Sequence, residues 1–209
     1  MSEQQGIEVR KALVDIDSTL YESDHLFVRA MAEMFGHRVR RRDLDRWDWW
    51  ERYISIHQFR RLIRTSFHAD ETIRAMVPFP GVVETLRAWR EAGVEICIVS
   101  DRHPRTARAT RDWLAAWGIE ADDVVLRHPI DKIAWARRHH VDLVIDDKPG
   151  TIAAALEAGI AAAAIIYPYN RDLLAGRPEA FRGRSWDVLR RRIEARCVLG
   201  AGAPAEQAA

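Results

Sequence analysis

The stretch ALVDIDSTLY, residues 12–21, decides the fold. It begins as an unbroken apolar run of the kind buried on both faces of a parallel sheet, yet two carboxylates, Asp15 and Asp17, stand at its end. Four more short runs have the same character: VEICIVS (94–100), DVVL (123–126), VDLVIDD (141–147) and AAAAIIY (161–167). Amphipathic stretches of helical length separate them: VVETLRAWREAG (82–93), PRTARATRDWLAAWG (104–118), DKIAWARRHH (131–140) and TIAAALEAG (151–159). Gly93, Gly118 and Gly159 fall where helix C-terminal glycines belong, and Pro104 suits a first helical turn. Strand and helix in alternation predict an α/β fold, a Rossmann-like parallel sheet flanked by helices on both faces.

The alternation breaks once. Residues 20–78 contain no convincing strand but two helical patterns: Phe27, Met31, Met34 and Phe35 share one face, and Ile56, Phe59, Ile63 and Phe67 another. This predicts a small all-helical domain inserted after the first strand and hanging over that strand's C-terminal end. The expected organisation is a core of residues 1–19 and 79–199, the helical insert 20–78, and a flexible tail 200–209, with the last 13 residues fraying.

Composition narrows the function. The 209 residues are 48% hydrophobic with a formal net charge of +1, so no strong field draws the chain to nucleic acid polymers or to an anionic membrane. The insert, with 11 basic against 9 acidic residues, is not a polyanion-binding arm either. The first ten residues lack a secretory signal's apolar segment, and no run approaches a membrane span. Two cysteines, Cys97 and Cys197, make no disulfide framework, which agrees with a cytoplasmic protein. Only three of the 32 basic residues are lysines, Lys11, Lys132 and Lys148, so a lysine kept against 29 arginines suggests a need for an ammonium.

In open parallel sheets ligands bind beyond the carboxyl ends of the strands. This chain places Asp15 and Asp17, Ser100 and Asp101, and Asp146 and Asp147 at such ends. Acids there also cap helices and start turns, a serine often ends a strand, and a lone Lys132 would ordinarily be a solvated helix residue. Gathered at one edge, however, the carboxylates would repel one another unless a cation lay among them, and all-oxygen ligands favour Mg²⁺.

The ordered set Asp15-Ile16-Asp17-Ser18-Thr19, then Ser100, then Lys132, then Asp146-Asp147 resembles the haloacid dehalogenase (HAD) superfamily of phosphohydrolases over residues 11 to about 170. The resemblance implies a HAD-like core, with residues 20–78 as its helical cap. It implies Asp15 as the nucleophile that forms an aspartyl-phosphate, and Asp17 as general acid and base, oriented by Thr19. Mg²⁺ would be held by Asp15, the Asp17 carbonyl and Asp147, with Asp146 in support. Ser100, the Asp101 backbone N–H, Thr19 and Lys132 would bind the phosphoryl group. Superfamily dehalogenases lack the second acid, so Asp17 points to phosphate ester hydrolysis.

VIDDKPGT (144–151), IIYPYNRDL (165–173) and GRSWDVL (183–189) further resemble the 5'(3')-deoxyribonucleotidase group, which implies a small phosphate ester, a nucleoside (deoxy) 5'-monophosphate, as substrate. That group usually has Gly-Val where this chain has Ser18-Thr19, a departure that resembles phosphoserine phosphatases. Trp47, Trp49, Trp50 and Tyr53 cluster in the insert, with Trp47 and Trp50 the candidates to stack a base; the alternative is that they pack the insert against itself or the core. Arg102 and His103, after Ser100, are expected at the rim of the site, where plain surface residence is the default and contact with substrate the alternative. Trp89, Trp113, Trp117 and Trp135 lie at core-facing helical spacing. A phosphotransferase or phosphomutase, and a non-catalytic binding module on the same fold, are the alternative functions.

Overall fold

A computed structural model of the chain describes residues 6–200. In chain order the elements are β1 (Ile7–Val9), β2 (Lys11–Val14), α1 (Asp24–Phe35), α2 (Ile56–Leu62), α3 (Asp70–Ala75), α4 (Val82–Glu91), β3 (Glu95–Ser100), α5 (Ala107–Ala116), β4 (Asp123–Leu126), α6 (Lys132–Arg138), β5 (Leu143–Ile145), α7 (Pro149–Glu157), β6 (Ala161–Ile165), α8 (Arg171–Gly176), β7 (Phe181–Gly183), α9 (Trp186–Glu194) and β8 (Cys197–Leu199).

Six of the strands form one parallel sheet in the order β4-β3-β2-β5-β6-β7. Successive side chains on a strand point to opposite faces, and both faces are covered. Ala12, Val14, Ile96, Ile98, Leu143 and Ile145 face α4, α5 and α9, where Trp89, Trp113 and Trp186 are buried. Leu13, Cys97, Val99, Val144 and Ala162 face α6, α7 and α8 through Ala136, Ile152, Ala155 and Leu174. Two-sided burial explains why these strands read as continuous apolar runs. From β2 the chain first builds outward through β3 and β4, then returns to β5 on the other side. The switch between those directions falls at the carboxyl ends of β2 and β5, the place where sheets of this kind form their ligand crevice.

Residues 20–78 carry α1, α2, α3 and short turns, and no strand. Their two ends meet where the Phe79 N–H donates to the Leu20 carbonyl at 2.8 Å and Tyr21 bridges Pro78. Ser55 caps α2 in a reciprocal box with Gln58. Phe27 stacks on Phe67 at 4.4 Å and Trp50 on Phe59 at 4.2 Å, giving this segment its own aromatic core. Ile56, expected on the buried face, is 42% exposed; Leu62 is buried instead, because Ile63–Phe67 continue α2 as a π-helical turn that shifts the helical phase.

Three strands escape the sequence reading. β7 adds the sheet's sixth strand, and its Gly183 is required, since a Cβ there would meet the Leu189 nitrogen at 2.7 Å. β1 and β8 form a separate parallel pair, Ile7 opposite Cys197. Residues 197–199 therefore do not fray; they pair as β8, and the Gly200 N–H donates to the Val9 carbonyl at 2.9 Å. The rest of the expected tail, residues 201–209, lies outside the described residues. Trp117 is 40% exposed rather than core-facing, its indole N–H tied to the Met76 carbonyl at 3.1 Å. Among the described residues no helix is long and apolar enough to cross a membrane.

Candidate active site

The first motif folds tightly against the crevice. The Asp15 N–H extends the sheet ladder by donating to the Ile145 carbonyl at 2.9 Å, which sets Asp15 beside Asp146 and Asp147. The chain then turns at Ser18, whose φ of 58° is left-handed. That conformation is cheap for glycine and costly for a branched residue, so Ser18, where the chain departs from the glycine usual in the 5'(3')-deoxyribonucleotidase group, takes a turn that a glycine would also make. Ser18 Oγ pairs with Ser23 Oγ, and Trp186 of α9 clamps the turn through its indole N–H to the Thr19 carbonyl at 2.7 Å. Ser18→Val should destabilise the fold by about 1–2 kcal/mol, whereas Ser18→Gly should unfold close to wild type; urea denaturation checks both.

Lys132 stands at the start of α6, buried, with its ammonium 2.6 Å from Asp15 Oδ1 and 2.7 Å from Asp146 Oδ2. Asp146 accepts a second bond, from the Lys148 N–H at 2.8 Å, and Asp147 accepts from the Tyr169 hydroxyl at 2.6 Å. Oxygens of Asp15, Asp146 and Asp147 all lie within 4.8 Å of one another. Burial and the neighbouring carboxylates Asp146 and Asp17 push the Asp15 carboxyl up to about 7, against the pull of Lys132. Burial, then Asp146 and Asp15, push Asp147 well above the carboxylate range. Burial alone would lower Lys132, but Asp146 and Asp15 outweigh it and raise it. One ammonium does not neutralise this cluster, and three buried carboxylates at such spacing fit a hard cation.

Beside the cluster, the hydroxyls of Ser100 and Thr19 are buried without a hydrogen-bond partner. An unmet buried hydroxyl costs on the order of 1–3 kcal/mol, so two at one crevice fit a ligand with acceptor oxygens. Thr19 was expected to orient Asp17, and it makes no such bond. Asp101 turns its exposed carboxylate to the Ile130 N–H at 3.2 Å and to His128 at 3.0 Å.

Arg102 is not at the rim. It is fully buried, and its Nη2 donates to Asp17 Oδ1 at 2.6 Å. The surface expectation fails because Asp17, 85 positions away, supplies a partner that no local pattern announces. Tyr21 and His68 also meet Asp17, at 2.5 and 3.4 Å. Burial would raise the Asp17 carboxyl, but the Arg102 charge and the His68 contact outweigh it and hold Asp17 well below the usual carboxylate range. His103 is exposed and caps the turn after β3, its Nδ1 accepting from the Arg105 N–H. Trp50 is spent in the segment's own aromatic core, whereas Trp47 is 45% exposed and meets Tyr169 edge-on at 5.4 Å, with the Lys148 ammonium 5.6 Å from its ring. Sequence reasoning missed Tyr21, His68, Tyr169 and Asn170. Asn170 is buried and ties the β6 loop to the Asp147 carbonyl at 3.0 Å.

Comparison with known proteins decides the family. The sequence model described as 5' nucleotidase, deoxy (pyrimidine), cytosolic type C protein (NT5C) matches residues 9–197. The chain belongs to the NT5C family. No curated protein matches it. A HAD-like family hydrolase from Streptococcus pneumoniae superposes with a TM-score of 0.64 at 17% identity, over 87% of this chain and 97% of that one. CbbY from Rhodobacter sphaeroides, solved with xylulose 1,5-bisphosphate, gives 0.57 at 17% identity over 78% and 89%. A HAD family hydrolase from Deinococcus radiodurans, solved with phosphate and sodium, gives 0.54 at 20% over 84% and 90%. At these identities the structural likeness shows the fold. As an NT5C member with the HAD fold, the chain is a phosphatase of phosphate monoesters.

Proposed function

We propose that this phosphatase hydrolyses nucleoside 5'-monophosphates, deoxy ones included, through an aspartyl-phosphate on Asp15, with Mg²⁺ as cofactor. The observation that carries the reading is the crevice itself, where Asp15 stands against Lys132 beside two unmet hydroxyls, Ser100 and Thr19. An Asp15 oxygen attacks phosphorus, the ester oxygen leaves, and Asp17 supplies its proton from the acid form, which Arg102 and His68 disfavour in the free site and which must be reached with the substrate bound. Water then attacks the aspartyl-phosphate, Asp17 takes the water's proton, and Asp15 is regenerated. Ser100, Thr19, Lys132 and the Asp101 N–H hold the phosphoryl oxygens, where fixed donors and charge act most strongly. Asp15, Asp146, Asp147 and the Asp17 carbonyl would hold Mg²⁺, which when bound neutralises charge between nucleophile and phosphate.

Metal binding should show in stability. Folding raises the Asp15 carboxyl from its ordinary 3.8 to about 7, so ionising it opposes folding. The penalty is absent below about pH 4 and complete above about pH 7. A cation offsets it, so Mg²⁺ should raise Tm more at pH 8 than at pH 5. A ligand at 100 times its Kd adds about 2.7 kcal/mol, or roughly 5–10 °C for a chain of this size. Thermal unfolding with Mg²⁺ and with chelator checks this, and equal shifts at the two pH values would contradict it.

The nucleotide reading draws on the family description and on Trp47, which keeps an exposed ring next to Tyr169, itself bonded to Asp147. A phosphate-release panel of nucleoside monophosphates, sugar phosphates and phosphoserine tests it. Nucleotides should lead, and Trp47→Ala should lower their kcat/KM about 5- to 100-fold, the worth of one base stack, with sugar phosphates, which carry no aromatic ring, losing far less. Preference for phosphoserine would overturn the nucleotide assignment and leave the phosphatase standing.

A further inference from the structure

Burying a guanidinium is expensive unless its donors are met, and apolar residues of similar size often serve stability as well or better. Arg102 is nevertheless fully buried, and half of its hydrogen bonds go to Asp17, the rest to Thr110, Tyr21 and the Met76 sulfur. Its Nε lies 3.1 Å from each Asp17 oxygen, and its Nη2 donates to Oδ1 at 2.6 Å and to the Tyr21 hydroxyl at 3.2 Å. Nη1 donates to Thr110 Oγ1 at 3.1 Å, which anchors the fork on α5. The Tyr21 hydroxyl donates to Asp17 Oδ1 at 2.5 Å. His68 Nε2 approaches Oδ2 at 3.4 Å from the residue that closes the π-helical turn, where the His68 N–H reaches the Ile63 carbonyl at 2.7 Å. Three separate parts of the chain thus seize one carboxylate: the loop after β3, the entry to residues 20–78, and the π turn within them.

We infer that Arg102, Tyr21 and His68 are positioning residues that hold Asp17 in the single orientation from which it serves hydrolysis of the aspartyl-phosphate. The inference rests on the mechanism proposed above. In that half-reaction the water oxygen bonds to phosphorus, the bond from phosphorus to the Asp15 oxygen breaks with its electron pair returning to the carboxylate, and the water's proton passes to Asp17. A misaimed Asp17 would slow this step selectively. His68 also makes the aim depend on the placement of the helical segment that carries it.

p-Nitrophenyl phosphate separates the two half-reactions, because p-nitrophenolate departs without a proton. Rapid mixing of this substrate with Arg102→Met should give a burst of about one p-nitrophenolate per chain, then turnover about 100-fold below wild type, the low end of what a general base contributes. His68→Phe should show the same burst with about tenfold slower turnover, and His68→Gln should recover most of it. In each slowed variant kcat and KM should fall together and leave kcat/KM near wild type, because formation of the aspartyl-phosphate is untouched. Should Arg102→Met fail to fold, the two His68 variants carry the test. Wild-type rates without a burst, or a loss of kcat/KM matching that of kcat, would overturn the inference. An inert wild-type protein would instead sink the mechanism and this inference with it, a result distinct from an active wild type with burst-free variants.

Discussion

Asp15→Asn should abolish turnover of p-nitrophenyl phosphate in Mg²⁺, by at least about 10⁴-fold as for a lost nucleophile, while the fold survives. The amide has the shape of the carboxylate but is a poor nucleophile. Its effect on stability separates this residue from an ordinary buried acid. Burial, Asp146 and Asp17 together outweigh Lys132 and push the Asp15 carboxyl up to about 7, so its charged form is a burden on the metal-free fold at pH 8. A neutral side chain removes that burden. Metal-free Asp15→Asn is therefore expected to melt at or above the wild-type temperature at pH 8, with the gain vanishing towards pH 4. Equal turnover by the variant would remove Asp15 from its assigned role.

Asp17→Asn should lose both activity and stability. General acid and base work is typically worth 10²–10⁴-fold, and the loss should be greater for alkyl phosphates, whose leaving groups need a proton, than for p-nitrophenyl phosphate. Stability suffers for a different reason: Arg102 has no exposure, and the mutation leaves its charge unpaired. Removing one partner of such a pair costs about 3–5 kcal/mol, large enough to read in a denaturant titration. Two neighbouring acids thus have opposite signatures, since Asp15→Asn spares the fold and Asp17→Asn weakens it. A variant Asp17→Asn as stable as wild type would contradict the reading of Arg102 as a cation that depends on Asp17.

The parallel sheet was legible because strands buried on both faces show as contiguous apolar runs, and the carboxylate cluster because acids end those runs at Asp15, Asp146 and Asp147. β7, β1 and β8 were not: Glu8 and Arg182 interrupt the apolar pattern of β1 and β7, and Val198 in β8 is exposed. Their pairing is set by distant tertiary contact, as with Ile7 and Cys197, rather than by pattern. Arg102 reads as a surface residue from its type alone, since its partner lies across the fold. His68 follows a π turn that shifts the helical phase, so the periodicity of residues 56–67 assigned Ile56 to the wrong side. Trp47 and Trp50 are close in sequence yet take opposite fates, one exposed near Tyr169 and one stacked on Phe59, a choice made by turns that spacing does not encode.

The central claim is that Asp15 carries the phosphoryl group. Brief reaction with a ³²P-labelled phosphate ester in Mg²⁺, acid quenching and peptide mapping test it directly. Label in the peptide containing Asp15, lost on treatment with hydroxylamine and absent from Asp15→Asn, is the expected result. Label on another residue, or an active enzyme that never becomes labelled even in slowed variants such as His68→Phe, would contradict the account.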